Sequence, residues 1–492
     1  MKRLFNVFII EILIILFAAT PFVFAQPPDT LWTRTYGGQF DEDGWAIEES
    51  SDGNYVIAGR TESFGAGDYD VYLIKLDTDG DTIWTKTYGG SLNDGAFSIQ
   101  RTTDNGYIIA GVTSSFSTGG SDVWLLKTDA DGDTSWTRNY GGPTWDQGFS
   151  VQQTSDNGFI ITGFSTVYGS GDQVYLIKTD DSGDTLWTKT YGGTDQDYGR
   201  SVLQTPDGGY VVAGYTFSYG VGNGDAWLIR TDSEGVILWD TTYGGNLDDR
   251  ALAVLRNPDN GYILVGYTAS FGTGLYDVYI IRTDSLGDTL WMRAYGGTSA
   301  DVGHAVQHTT DGNLIIAGYT YSYAVGENDF YLLKMNMDGD VLWTQTYGGI
   351  FYEYGYAVKQ TSDNGYLIVG RTNSFGAGEN DIYAVKLGPD IGVEEQEFLH
   401  SRDVIFDVFP NPFRDKIDIR LSPEQRPEGI ELKIYDAAGR LLKQFNHSTI
   451  QPFNQVTWDG TDDSNRKLPS GVYFLKYSTG EFTDIRKLLL VR

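Results

Sequence analysis

Three observations predict an all-β chain: a seven-bladed β-propeller followed by an immunoglobulin-like β-sandwich. Tyr-Gly-Gly recurs seven times, starting at Tyr36, Tyr88, Tyr140, Tyr191, Tyr243, Tyr295 and Tyr347, at spacings of 52, 52, 51, 52, 52 and 52 residues. Each copy carries four short β-rich runs separated by Asx-Gly turns, and no stretch sustains a 3.6-residue apolar period. After Gly388 the period is gone, and seven short strand-like runs fill residues 404–492. A repeat of this length signals a propeller, a solenoid or an array.

At the N-terminus, Lys2 and Arg3 precede the apolar run Leu4 to Phe24, broken by Asn6 and Glu11. Val23-Phe24-Ala25 then suits a cleavage site. Residues 1–25 are expected to be a signal peptide; Glu11 is atypical inside it and leaves an uncleaved anchor as the alternative. The repeats are expected to occupy residues 29–388. In the second copy, Phe97–Gln100, Tyr107–Gly111, Asp122–Lys127 and Ser135–Arg138 are the four strands, and Asp104-Asn105-Gly106 and Asp129 to Asp133 are turns. Four antiparallel strands per repeat match a propeller blade; solenoid coils are usually shorter and need end caps. The last copy stops after its third strand, Asp381–Lys386, while Leu31–Arg34 is a fourth strand placed before the first complete blade. Joining these two completes seven blades and leaves no open edge.

Three columns then read as packing. Trp32, Trp84, Trp136, Trp187, Trp239, Trp291 and Trp343 would fill the space between diverging blades. The small residues Ala46, Ser98, Ser150, Ser201, Ala253, Ala305 and Ala357 sit where blades converge. Gly59, Gly111, Gly163, Gly214, Gly266, Gly318 and Gly370 end the second strand, at a bulge or a close backbone approach. The repeat also loosely resembles pyrroloquinoline-quinone-type propeller repeats, from which no cofactor follows.

Candidate chemistry is sparse. A carboxylate lies six residues after each repeat tyrosine: Glu42, Asp94, Asp146, Asp197, Asp249, Asp301 and Glu353. A second column, Asp70, Asp122, Asp225, Asp277, Asp329 and Asp381, has Gln173 in its third copy. Two acidic rings near a channel mouth could bind cations or sugar hydroxyls. Equally, an Asp at a loop-to-strand junction accepts hydrogen bonds from loop N–H groups, and strict repetition favours that role. The Asp-x-x-Gly-Asp turns lack the span and terminal Glu of an EF-hand and read as hairpin turns. No cofactor is expected, although the acidic columns keep calcium open.

Individual positions are more telling than repeated ones. Nine residues after each tyrosine stand Trp45, Phe97, Phe149, Arg200, Leu252, His304 and Tyr356, near the channel. Arg200 and His304 break a mostly aromatic set. His304 and His308 would lie about 13 Å apart on one strand face, too far to share a metal. Trp145, Tyr198, Phe351 and Tyr352 add aromatics to the loops on this side, a combination with carboxylates that suits glycans. Ordinary inter-blade packing also accounts for them. There is no cysteine, Gly-x-Ser-x-Gly elbow, phosphate loop or helical His-x-x-x-His.

Residues 389–403, with Glu394-Glu395-Gln396-Glu397, read as an acidic linker. Beyond it, Val404–Phe409, Lys416–Leu421, Glu431–Tyr435, Arg440–Phe445, Gln455–Trp458, Val472–Tyr477 and Asp484–Val491 are strands, a number suited to an immunoglobulin-like sandwich. Phe409-Pro410-Asn411-Pro412-Phe413, Leu432 to Arg440, Gly471-Val472-Tyr473 and Arg486 to Leu490 resemble the C-terminal sorting domain of type IX secretion cargo. Trp458-Asp459-Gly460-Thr461-Asp462 is also similar to the immunoglobulin-like domain of flagellar hook-capping proteins. The resemblance covers residues 404–492. It implies export across the outer membrane, engagement of the secretion machinery, possible removal of the domain, and surface attachment.

Charge favours solubility and excludes one partner class. The net charge is −31, yet from Ser401 onward 14 Lys/Arg face 13 Asp/Glu, so the excess lies in the repeats and linker. Nucleic acid is excluded as a partner, since phosphate neutralisation needs Lys and Arg. The expected protein is a secreted or cell-surface monomer that binds glycans or surface proteins. A polysaccharide hydrolase or lyase using channel-mouth carboxylates, and a spacer with no ligand, are the alternatives.

Overall fold

The structure, a computed structural model, describes residues 27–167, 171–390 and, between 406 and 490, seven strands with parts of their turns. The expected signal peptide and residues 391–403 of the expected linker lie outside the described residues. Contacts divide the chain into two units, residues 1–392 and 393–492.

The repeats fold as seven four-stranded antiparallel sheets. In six of them the strands follow chain order. The seventh is completed by Thr30–Tyr36, which pairs with Asp381–Leu387, Trp32 opposite Lys386 and Tyr36 opposite Ile382. Neighbouring sheets share apolar cores. Ala110 and Leu125 of the second sheet meet Phe159 and Ile161 of the third. The seventh sheet packs on the first in the same way, Leu367, Val369 and Ile382 against Ile47, Ile57 and Ile74. The expected strand exchange is therefore present, and Trp32 and Tyr36 pack on this closing core.

Each residue of Tyr-Gly-Gly has its own task. The tyrosine hydroxyl donates to the glycine carbonyl of the next sheet's Asp-x-x-Gly turn: Tyr36 to Gly80 at 2.7 Å, Tyr140 to Gly183 at 2.6 Å, Tyr191 to Gly235 at 2.6 Å. The first glycine is wedged between the two carboxylate columns; a Cβ on Gly244 would stand 1.9 Å from Asp225 Oδ1 and 2.9 Å from Asp249 Oδ2. The second donates its N–H to the carboxylate four residues on, as Gly245 does to Asp249 at 2.7 Å. The Asp-x-x-Gly turns are hairpin turns closed by their first residue: Asp77 Oδ1 accepts the N–H groups of Asp79 and Asp81. Gly80 takes a φ of 82° there, a conformation that costs glycine little. The tryptophan rings lie beneath these turn glycines, Trp32 under Gly80 and Trp84 under Gly132.

Sheet seven has no turn between its third and fourth strands, because its fourth strand comes from the N-terminus. Asp390 fills that place. It accepts from Trp343 Nε1 at 3.0 Å and from the Tyr366 hydroxyl, and pairs with Lys334 at 2.8 Å. Asp390, read from sequence as linker, is thus bonded into the sixth and seventh sheets.

Every innermost strand carries a β-bulge at one position. The register shifts between Gly44 and Ala46, Gly199 and Ser201, Gly303 and Ala305, and likewise in the other four. A bulge adds a residue and re-aims its side chain. The extra residues are Trp45, Phe97, Phe149, Arg200, Leu252, His304 and Tyr356, all of which line the axial cavity. Opposite each bulge stands the glycine column. A Cβ at Gly214 would lie 1.8 Å from the Tyr198 carbonyl oxygen.

The second unit has a three-stranded and a four-stranded antiparallel sheet around one core. Ile417, Ile419, Val456 and Trp458 from one sheet meet Leu432, Ile434, Leu475 and Leu488 from the other. Trp458 donates its Nε1 to the Thr461 carbonyl at 2.8 Å, and Asp462 caps the following turn through the N–H groups of Ser464 and Arg466. Six of the seven expected strands end within two residues of their predicted bounds; the first is described only from Phe406. Of the motif residues, Pro410 to Phe413 and Ala437 to Gly439 lie outside the described residues.

Candidate functional site: the axial cavity

The carboxylate columns do not face solvent. Glu42, Asp94, Asp146, Asp197, Asp249, Asp301 and Glu353 are each at most 1% exposed. Asp94 accepts from the Thr113 hydroxyl at 2.5 Å, the Ser115 hydroxyl at 2.6 Å and the Gly90 N–H at 2.8 Å, and Asp249 and Asp301 are held by the same kinds of group. The second column is equally sequestered. Asp277 accepts from the Thr273 and Gly274 N–H groups at 2.8 and 3.0 Å. Both columns tie loops to strands, and a solute reaches neither without opening those loops. Among the described residues no group of three or more His, Cys, Asp or Glu side chains is placed to hold a metal ion.

Packing two acids around one glycine leaves a titration signature. Burial raises the Asp225 carboxyl pKa to about 6; the Val221 N–H opposes this and the nearby charge of Asp249 adds to it. Asp146, Asp329 and Asp381 shift in the same direction, again chiefly through burial. A carboxyl with a raised folded-state pKa stabilises fully below its unfolded value, roughly 3.9, and that contribution is lost as pH climbs through the folded value. Asp225→Asn should therefore gain on the parent chain as pH rises from 4 to 7. Paired melting curves across that range check it; a constant difference would contradict the assignment.

The bulge residues form a different environment. They enclose a partly open cavity of about 580 Å³ on the propeller axis. Around it runs an aromatic arc: Phe149 to Phe97 at 5.6 Å, Phe97 to Trp45 at 5.6 Å, Trp45 stacked on Tyr356 at 3.9 Å, and Tyr356 to His304 at 5.2 Å. Arg200 lies over the Phe149 ring, its Cζ 4.1 Å from the centroid. Leu252 completes the set. Burial, then the positive charge of Arg200, drives the His304 pKa down to about 3, so its imidazole is neutral.

A tyrosine ladder leads from the rim into this cavity. Tyr352, just before the strand Glu353–Gln360, and Tyr354 and Tyr356 within it stand at alternate positions, with centroid separations of 6.4 Å and ring planes within 8° of parallel. Tyr352 is 37% exposed, whereas Tyr356 lines the cavity. Tyr319 packs on Tyr354 at 4.8 Å, and the Tyr321 and Tyr354 hydroxyls are 3.1 Å apart. Arg371 lies over Tyr354 at 4.7 Å and shares Asp43 with Arg60. On another side Arg250 pairs with Asp248 and lies over Tyr215 at 4.3 Å.

Of the residues singled out from sequence, Trp45, Arg200, His304 and Tyr356 therefore meet at one cavity. The seven column carboxylates are held in the loops. Trp145 is 58% exposed and lies outside the cavity wall, its backbone bridged to Ser121. Tyr198 donates to Asp172 at 2.6 Å beside Tyr215. Sequence reasoning missed Tyr319, Tyr321, Tyr354, Arg250 and Arg371. Strand alternation from Tyr352 and Tyr356 would have exposed Tyr354.

Residues 407–491 match the secretion system C-terminal sorting domain, and residues 50–82 and 309–341 match the DUF5122 β-propeller, a domain of unknown function. The regulatory protein FlaEY of Caulobacter vibrioides is 26% identical over 385 residues, 62% of this chain and 39% of that protein. This chain thus spans well under half of that relative's length. PorZ, a surface component of the type IX secretion system of Porphyromonas gingivalis, is similar at a TM-score of 0.42 and 14% identity, over 93% of this chain and 60% of that one. The Pan2 WD40 domain of Neurospora crassa gives 0.43 and 10%, over 72% and 98%. With a secretion-system sorting domain after a propeller, the chain is a secreted or cell-surface β-propeller protein.

Proposed function

We propose that this chain is an exported binding protein whose propeller takes a ring-bearing ligand, such as a glycan, at the axial cavity. The carrying observation is the contrast between the two kinds of position. The repeated carboxylates are buried and tied into the loops and strands of the scaffold, whereas the seven bulges present dissimilar side chains to one cavity. Concave sites with aromatic walls and a few polar groups are the usual form of a small-ligand site. The tyrosine ladder lines the way from rim to cavity with aromatic surface and hydroxyl groups. The sorting domain delivers the propeller to the surface, and the two-sheet fold of the second unit agrees with its immunoglobulin-like reading.

A thermal-shift screen of the mature chain against glycans and divalent ions, with a reducing-end assay alongside, tests this role. Binding without release of reducing ends is the expected result. Release of reducing ends would make the protein a hydrolase, and no shift with any glycan or ion would leave a spacer.

A further inference from the structure

We propose that the cavity binds a carboxylate carried on a ring-shaped body, with the Arg200 guanidinium as its counter-charge; this rests on the binding role above and names its ligand class. Arg200 is a cation without a carboxylate. Arg60, Arg230, Arg250, Arg282 and Arg371 each face an aspartate at 2.5 to 3.2 Å. In a chain of net charge −31, no Asp or Glu lines the cavity into which Arg200 projects. Its side chain makes no hydrogen bond among the described residues, and its contact is the Phe149 ring face. Enclosing an unpaired charge is costly unless a counter-ion arrives.

The geometry suits a carboxylate. A guanidinium stacked on an aromatic face keeps its in-plane N–H fork free, and that fork matches the two oxygens of a carboxylate. The rest of the wall describes the body of the ligand. Trp45, Phe97 and Tyr356 line the wall with apolar aromatic surface, while the Tyr356 hydroxyl and His304 imidazole have no hydrogen-bond partner among the described residues. These two can meet hydroxyl or carbonyl groups. Among the residues that line the cavity Arg200 is the one Arg or Lys, which suits a monoanion. Arg60 and Arg371 share the single carboxylate of Asp43 beside Tyr356, leaving one positive charge over to draw an anion past an acidic surface.

Two sources offer this chemistry, an acidic sugar and an aromatic acid. Calorimetric titration of the mature chain with D-glucuronate against D-glucose, and with benzoate against benzyl alcohol, separates them. At least one acid should bind tenfold or more tightly than its neutral partner. Arg200→Gln should weaken that acid tenfold or more, while Arg200→Lys, which keeps the charge without the fork, retains part of the affinity. Melting curves of both variants should stay near the parent, since this side chain is not in an inter-sheet core. If Arg200→Gln fails to fold, the comparison of Arg200→Lys with the acid–neutral pairs still decides. Equal binding of inorganic phosphate would overturn the ring-shaped body. Neutral sugars binding equally well, with no loss in Arg200→Gln, would overturn the carboxylate assignment and leave the binding role standing. No response from any of these probes, nor from the wider glycan screen, would remove both.

Discussion

Deleting Thr30–Tyr36 will lower the melting temperature of the propeller by roughly 10 °C or more. The strand closes the seventh sheet with a ladder from Thr30 to Tyr36, and Trp32 and Tyr36 pack against the core that joins the seventh sheet to the first. Its loss exposes the edge formed by Asp381–Leu387 and frees the Tyr36 hydroxyl bond to Gly80. Lost burial and hydrogen bonds on this scale amount to about 5 kcal/mol, comparable with the whole stability of many domains. For a unit this large, each kcal/mol moves the midpoint by roughly 2 °C. The freed edge is also a template for association, so dimers or aggregates should accompany the lower midpoint. Calorimetry and light scattering on the truncated chain check both effects; an unchanged midpoint would contradict closure by this strand.

Gly214→Ala should be among the most damaging single methyl groups in the propeller. The new Cβ would stand 1.8 Å from the Tyr198 carbonyl oxygen and 3.1 Å from Gly199 Cα, both backbone atoms of the paired strand. Side chains can step aside; this backbone cannot without undoing the bulge. The expected loss is about 3 kcal/mol, at the upper end for overpacking. The same change would re-aim Arg200, which is the extra residue of that bulge. Gly208→Ala is the control. It sits at positive φ in an exposed turn with open space around its Cβ site, so its cost is only that of the backbone conformation, about 1 kcal/mol. Urea melts of the two variants compare them directly, and equal destabilisation would mean that the bulge tolerates a side chain.

The fold was readable because the same local rules are written out seven times. Asx-Gly turns, β-rich runs and the displaced strand before Tyr36 each pointed to one architecture. What the sequence could not show was which way a polar side chain turns. The carboxylates after Tyr-Gly-Gly lie on the expected loops, yet Thr113 and Ser115 beside Asp94 draw it inward, and that depends on tertiary closure of the loop. The bulge was hidden for a related reason. A bulge breaks alternation, so Trp45 and Ala46 both belong near the axis while a simple period of two would separate them. The glycine column opposite was its only trace. Asp390 was misread because its partners, Lys334, Trp343 and Tyr366, lie 24 to 56 positions away in the chain.

The central claim is that the repeated residues are scaffold and that binding resides where the bulge residues differ. The most direct test replaces Arg200 and His304 together with Phe, the residue the second and third sheets use at this position. Thermal melts of parent and double variant, with and without whichever ligand the screen identifies, then give one comparison. The double variant should melt at or above the parent temperature without ligand and lose the ligand-induced shift. A shift that persists undiminished in the double variant would place binding elsewhere and contradict the account.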